Sequence, residues 1–229
     1  MKLFIHDKIG FVECMTATAD GDLLVVNAAR CSFDKQHHDF DEKKDTRLIN
    51  YLAREKHFLP FRHPQLTVRM YLPLFVLRQL AKHQVGFSWS EVSRRYITNE
   101  PEFYKPTEFR KAAKDKKQGS SDDVIEGYLK ANTHLGLQNS TEYSLVTYNS
   151  MILNGIAPEQ ARMVLPQSMY TTVVVTGSLL GWAHLVRLRT EEHTQKETQE
   201  YAKLINELLK AYFPKSQKAL LGDLNETIE

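Results

Sequence analysis

Between Leu66 and Leu72 the chain alternates without a break: Leu66, Val68, Met70 and Leu72 are apolar, while Thr67, Arg69 and Tyr71 carry polar groups. A period of two puts the first set on one face of a pleated strand and the second on the other, so this stretch is a half-buried strand. Pro73 follows at once. It has no N–H to give a ladder, but it suits the first turn of a helix, where that N–H is not needed. Leu74–Gln84 is then expected as a helix with Leu77, Leu80 and Ala81 inward and Gly86 as its terminator. A strand that runs straight into a helix ties a sheet edge to a helical layer.

The rest of the chain reads in the same terms. Lys2–His6 and Gly10–Thr16 are expected as strands of a hairpin around Asp7–Ile9. Asp22–Ala29 reads as a helix ending near Arg30, Cys31 and Ser32, and His37–Asp41 as a polar loop. Lys44–Lys56 reads as a helix with Leu48, Ile49 and Leu52 on its inner side. The basic stretch Arg110–Ser121 reads as an exposed loop or hinge, a solvated run rather than a nucleic-acid patch. Asp122–Asn154 is expected as helix, interrupted near Gly136 and closed by Gly155. Pro158 opens a short helix that Pro166 ends. The β-branched run Thr171–Thr176 is a buried strand, and Ser178 caps a helix through Arg189. Tyr201, Leu204, Ile205, Leu208, Leu209 and Tyr212 make the clearest amphipathic stripe in the chain. No repeat is visible. Few strands among many helices point to an α+β fold, read here as a single domain over 1–229.

Composition removes several classes. The chain has 229 residues, 42% hydrophobic and 10% aromatic. With a mean hydropathy of -0.42, it is neither a disordered chain nor a membrane bundle. Its net charge of +2 gives no case for nucleic-acid binding. Asp7, Lys8 and Glu13 interrupt the N-terminal segment where a secretory signal would be apolar, so a cytoplasmic protein is expected. Cys14 and Cys31 then read as free thiols, Cys31 as a small buried residue. Zinc-type Cys and His spacings, Gly-rich phosphate loops and nucleophile elbows are all missing, and no metal site is expected.

Chemistry concentrates between Arg78 and Tyr96. Arg78 and Lys82 are four apart, as are Gln79 and His83, so each pair shares a helix face. Like charges four apart gain most when an anion joins them. Ser93, Arg94 and Arg95 add a hydroxyl and two guanidinium forks, which match phosphate oxygens. The same arginines would serve equally as surface charges paired with Glu91, Glu100 and Glu102. Arg187, Arg189, Glu191, Glu192 and His193 form a second cluster. Arg162 stands among apolar residues, where a guanidinium needs a partner. His57, His63, His83, His184 and His193 are scattered, each as compatible with a structural role as with a site. From the residues alone, the reading stops at a phosphate-binding basic pocket.

The segment Arg78–Tyr96, RQLAKHQVGFSWSEVSRRY, resembles the signature of flavin-dependent thymidylate synthases. In that signature Arg-Gln precedes Arg-His-Arg, and Ser-x-Arg-Tyr closes it. Here Lys82-His83-Gln84 stands at the first core and Ser93-Arg94-Arg95-Tyr96 at the second. Asn27–Phe33, Glu102-Phe103-Tyr104, Ala161–Pro166 and Leu188-Arg189-Thr190 also look like family segments in family order. The resemblance implies a central, mostly antiparallel sheet packed with helices. It implies reductive methylation of dUMP to dTMP with methylenetetrahydrofolate as carbon donor, FAD as hydride carrier and NADPH as reductant. It further implies a homotetramer whose active sites are shared between subunits.

By that likeness, Gln79, Lys82, Glu91, Val92, Ser93, Arg94, Arg95, Arg162 and Arg189 hold dUMP. Ser93 and Arg95 take the phosphate, Arg162 reaches over from a neighbouring subunit, and Arg189 acts catalytically by polarising the pyrimidine at N3. Ser32, His57, Lys82, His83, Gln84, Glu91, Ser178, His184 and His193 match positions at FAD or at the flavin and folate region. Three departures fall near the flavin: Lys82 and Gln84 replace arginines, Arg62 stands at a commonly acidic position, and Leu180 replaces an arginine of some members. Arg62 then restores the charge missing at Gln84. Alternatives are an enzyme of the same chemistry acting on another pyrimidine nucleotide such as dCMP, or a non-catalytic nucleotide- or RNA-binding relative.

Overall fold

The computed structural model describes residues 1–97, 99–113 and 119–222. Strands β1 (Lys2–Phe4) and β2 (Phe11–Ala17) form the expected hairpin. Helices α1 (Gly21–Arg30) and α2 (Glu42–Arg54) follow, the second capped by the Asp41 carboxylate, which accepts from Lys43 N and Lys44 N. The alternating segment is β3 (Gln65–Pro73), and Leu66, Val68, Met70 and Leu72 are fully buried. Helix α3 (Leu74–Leu80) starts immediately. Pro73 closes the strand and is also the helix N-cap, with φ -65 and ψ 148. Strand β4 (Phe87–Glu91) then returns to the sheet. Further along come β7 (Tyr170–Ser178), α6 (Leu179–Arg189), α7 (Lys196–Tyr212) and α8 (Pro214–Leu221).

The five strands lie in the order β1-β2-β3-β7-β4, antiparallel throughout. Strands β3 and β7 pair along their full length, from Gln65 opposite Ser178 to Pro73 opposite Tyr170. Each of them runs directly into a helix. Because the strands are antiparallel, α3 and α6 leave from opposite ends of the sheet. Ser178 caps α6 by accepting from Gly181 N at 3.2 Å. The inner face packs on Tyr201, Ile205, Leu208 and Leu209 of α7 and on Trp182 of α6, all fully buried. Trp182 satisfies its indole by donating to Leu66 O at 2.9 Å, so a large polar-edged ring fits a dry core. Gly177 is required beside it. A Cβ there would lie 2.4 Å from the Phe87 ring and 2.9 Å from Trp182 Nε1.

Several expectations are corrected. Helix α3 ends at Leu80 rather than near Gln84, and Gly86 does not terminate it. Gly86 instead takes φ +79 in the turn that leads into β4. That strand was hidden because Ser88, Ser90 and Glu91 are exposed and only one side of it carries apolar groups. The basic stretch is not simply a loop: β5 (Arg110–Ala112) pairs with β6 (Ser120–Val124), and its residues 114–118 lie outside the described residues. Asp122 therefore belongs to β6, and helix α4 (Gly127–Leu153) begins later than expected and passes Gly136 unbroken. Pro158 opens α5 (Pro158–Ala161) as expected, followed by a 3-10 turn over Arg162–Val164. Cys31 is exposed, not buried, and both thiols are free. Among the described residues no helix is long and apolar enough to cross a membrane.

Candidate active site

The ends of α3 and α6 meet. An α-helix leaves its last carbonyls without partners and carries negative partial charge there. Arg189, at the end of α6, answers that charge: its Nη2 donates to Gln79 O in the last turn of α3 at 3.1 Å. Its Nε lies 3.1 Å from His83 Nε2, which accepts the hydrogen bond when unprotonated. Burial first, and then the neighbouring Arg189 and His184, hold the His83 pKa below its usual value. Gln79 is itself fixed by α7 and the loop before it. Its Nε2 donates to Gln195 Oε1, and its Oε1 accepts from Thr198 Oγ1 at 3.1 Å. Gln79, Arg189, Gln195 and His193 line a cavity of about 420 Å³.

A larger cleft of about 800 Å³ is lined by Leu74 and Arg78 of the same helix, α3. Arg78, the helix neighbour of Gln79, lines this cleft and not the smaller cavity, because successive helical residues point about 100° apart. Glu91, Val92, Arg94 and Arg162 also line it. Arg94 is 8% exposed; it donates to Asn99 O at 2.7 Å and lies over the Tyr148 ring at 5.9 Å. Arg95 is exposed and pairs with Glu159 at 3.2 Å. Ser93 Oγ accepts from Arg95 N at 3.3 Å. Arg162 is exposed, so the expectation of an arginine enclosed by apolar neighbours is not met; its charge faces the cleft. Tyr71 donates to Glu102 at 2.6 Å from the cleft floor. Burial, followed by the Glu102 carboxylate, raises its pKa, so the phenol remains a donor. Thr171 Oγ1 donates to Glu91 at 3.1 Å.

The expected site residues therefore fall into groups. Glu91, Val92, Arg94 and Arg162 line the large cleft, and Gln79, Arg189 and His193 the smaller cavity; Ser93 and Arg95 do not line the cleft, and Arg95 is joined to it only through its ion pair with Glu159. Lys82 is exposed just past α3, its N–H 3.4 Å from Gln79 O. His83 and His184 lie within electrostatic reach of each other. Burial, then Arg187 and Arg62, lower the His184 pKa, and the His184 ring stands edge-on to Phe58. His57 stands edge-on to Tyr51. Gln84 donates to Ala81 O at 2.5 Å, Ser178 is buried as a helix cap, and Ser32 lies exposed in the 3-10 turn after α1. Glu91, expected at both dUMP and FAD, sits at the cleft, and Ser32 is joined to neither cavity. Sequence reasoning missed Glu159, Tyr71, Gln195 and Thr198. Only Glu159 left a signal, three residues before Arg162.

A family model described as thymidylate synthase complementing protein matches residues 13–215. A flavin-dependent thymidylate synthase of Thermosipho melanesiensis is 35% identical over 234 residues, covering 100% of each chain. One of Thermus thermophilus is 36% identical over 211 residues, covering 92% of this chain and 74% of its own. A UMP/dUMP methylase PolB from Streptomyces cacaoi, solved bound with 5-Br dUMP, superposes with a TM-score of 0.80 at 28% identity. That match covers 92% of this chain and 94% of PolB. On these matches, the chain belongs to the thymidylate synthase complementing protein family, the flavin-dependent thymidylate synthases.

Proposed function

We propose that this chain methylates dUMP to dTMP, with methylenetetrahydrofolate as carbon donor, FAD as hydride carrier and NADPH as reductant. The observation that carries the reading is the division of its cations between two cavities, one lined by Arg78 and the other by Gln79 of α3. Arg78, Arg94 and Arg162, with Arg95 at the rim, suit a phosphate. Arg189 and Gln79 suit the polar edge of a pyrimidine. The two sets line different cavities, and in this reading one nucleotide reaches both when a second copy supplies the missing half. Helix α4 supports that assembly. Tyr128, Leu135, Tyr143, Val146 and Leu153 are 56 to 86% exposed on it, more apolar surface than a solvated helix carries. The partner is a second copy, and the oligomer is a homotetramer in the cytoplasm.

Of the residues assigned to FAD, Lys82 fits its chemistry, whereas Ser32, joined to neither cavity, lends it no support. Lys82 and Arg62 have no ion pair among the described residues, and Arg62 and Arg187 lie within electrostatic reach of His184. Cations free of carboxylates suit a diphosphate. FAD, when bound, supplies hydride transfer, which a side chain cannot. The protein contributes position and charge. Arg189 keeps a permanent positive charge beside the pyrimidine carbonyl edge and stabilises negative charge developing there. No cysteine nucleophile is required, and neither Cys14 nor Cys31 lines either cavity. The test is an anaerobic incubation with FAD, NADPH, methylenetetrahydrofolate and dUMP, with UMP and dCMP in parallel and products identified by mass. The expected result is dTMP. Methylation of UMP or dCMP alone overturns the substrate assignment.

A further inference from the structure

The β5–β6 ribbon is tied to the start of α7 by two ion pairs. Arg110, on β5, donates from Nη2 to Glu197 Oε1 at 2.7 Å and from Nε to Ser120 Oγ of β6 at 2.8 Å, so one guanidinium holds both strands to the helix. The Glu197 side chain is only 9% exposed. A carboxylate so enclosed needs its cation, which makes Arg110 an anchor rather than a surface charge. Lys196 and Asp122 add an exposed pair at 2.6 Å, and Phe109, just before β5, stands edge-on to His134 of α4. Held in this way, the ribbon brings Gly119 against the 190–195 connection between α6 and α7. A Cβ at Gly119 would lie 3.4 Å from His193 O and 3.7 Å from His193 Cα. Gly119 also takes φ +94, which residues with side chains rarely adopt. Close approach and conformation thus both call for glycine. Gly119 and His193 line the smaller cavity together with Arg189 and Gln79. No described residue of the ribbon lines the large cleft.

We propose that Gly119 is a positioning residue for the pyrimidine half of the nucleotide site: through it, the anchored ribbon sets where the His193 wall of the smaller cavity stands. The inference rests on that cavity holding the pyrimidine. On its inner side the connection is already fixed, since Thr194 Oγ1 donates to Leu188 O at 3.0 Å and Gln199 Nε2 donates to Thr194 O at 2.8 Å. The ribbon supplies the second support. It acts on one half of the site alone, because Arg78, Arg94 and Arg162 line a cleft that it does not reach. A lesion in the ribbon therefore alters recognition of the base and leaves recognition of the sugar phosphate intact, whereas a general loosening of the fold weakens both.

Two lesions reach the wall by different routes. Gly119→Ala places a methyl group in the approach to His193 and strains the backbone, at an exposed position. Arg110→Met combined with Glu197→Met unhooks the ribbon without leaving a buried charge unpaired. Wild type and both variants are prepared as holoproteins, and Kd is measured by titration with dUMP and with 2-deoxyribose 5-phosphate. Each variant is expected to raise the dUMP Kd about tenfold and to leave the sugar phosphate Kd within about twofold of wild type. Equal losses on the two ligands, a loss on the sugar phosphate alone, or no loss on either overturns the proposal. Amide hydrogen exchange over residues 190–195 is followed in parallel on the ligand-free proteins. Faster exchange in both variants supports the ribbon as the prop of that wall, and unchanged exchange overturns it. If the wild-type protein binds neither ligand, the nucleotide reading fails, and the exchange rates still decide whether the ribbon holds the wall in place.

Discussion

Arg162→Ala and Arg189→Ala remove one guanidinium each, from the large cleft and from the smaller cavity respectively. Arg189 makes two directed contacts, to Gln79 O and His83 Nε2. Losing such a preorganised donor costs on the order of 3 kcal/mol of barrier, about a hundredfold in rate. If Arg162 holds the phosphate as proposed, losing that charged hydrogen bond costs about 1.5 to 3 kcal/mol, about ten- to hundredfold in kcat/KM. Each homo-oligomer alone is thus nearly inactive. If each site takes Arg162 from one chain and Arg189 from another, random mixing leaves about a quarter of sites with neither lesion. The two variants are co-expressed with different affinity tags, the doubly tagged oligomers are isolated, and dTMP formation is assayed at limiting dUMP. Recovery far above either parent, toward a quarter of wild-type activity or more, is expected. Doubly tagged oligomers that stay at the parental level refute the shared site, because they show both arginines acting within one chain.

Other residues carry independent tests. Asp45 is fully buried, holding Arg30 and accepting from Asp41 N at 2.9 Å, so Asp45→Asn is expected to lower urea unfolding stability by about 3 kcal/mol. A loss below about 1 kcal/mol shows the pair to be dispensable. The lowered His83 pKa makes a pH prediction: below about pH 6.5 the unfolded chain takes up the proton first. The His83 contribution is complete above that value and is lost as pH falls through the lower folded pKa. Protonated Nε2 no longer accepts from Arg189, so dUMP affinity falls over the same window. A dUMP Kd that is flat down to about pH 5 removes His83 from this role. Arg62→Ala is expected to weaken flavin retention about tenfold, read as loss of visible absorbance on dilution, since Arg62 lies within electrostatic reach of His184. Unchanged retention ends its assignment as the replacement charge for Gln84.

The sheet and the main helices were legible because periodicity reports burial directly. Leu66–Leu72 and the stripe on α7 each face a core that is wholly within the chain. Strand β4 was not legible, since it lies at the sheet edge with Ser88, Ser90 and Glu91 in solvent. The start of α4 was misplaced because Ser120–Val124 pairs across the ribbon, a long-range choice that no local propensity reports. In the site, charged residues announced themselves, whereas the neutral side chains packed around Gln79 did not. Gln195 and Thr198 are unremarkable in sequence, and their importance comes from sitting 116 and 119 residues from Gln79 in the chain yet against its side chain. Polarity of an amide is a property of its neighbours, not of its letter.

Helix α4 is tied to the cleft through Tyr148. Of its 27 residues only Tyr148 is buried, and that ring lies under the Arg94 guanidinium. Tyr148 also packs with Ala161, Leu165 and Met169, the cluster that seats Arg162 and its 3-10 turn. A buried guanidinium without a carboxylate is costly, and Arg94 offsets that cost only in part through Asn99 O and the ring face. Such a charge is better satisfied by an anion in the cleft. The exposed apolar residues of α4 lie on the helix that carries this ring. A second copy seated on α4 would remove that apolar surface from water and cover the helix whose Tyr148 lies under Arg94.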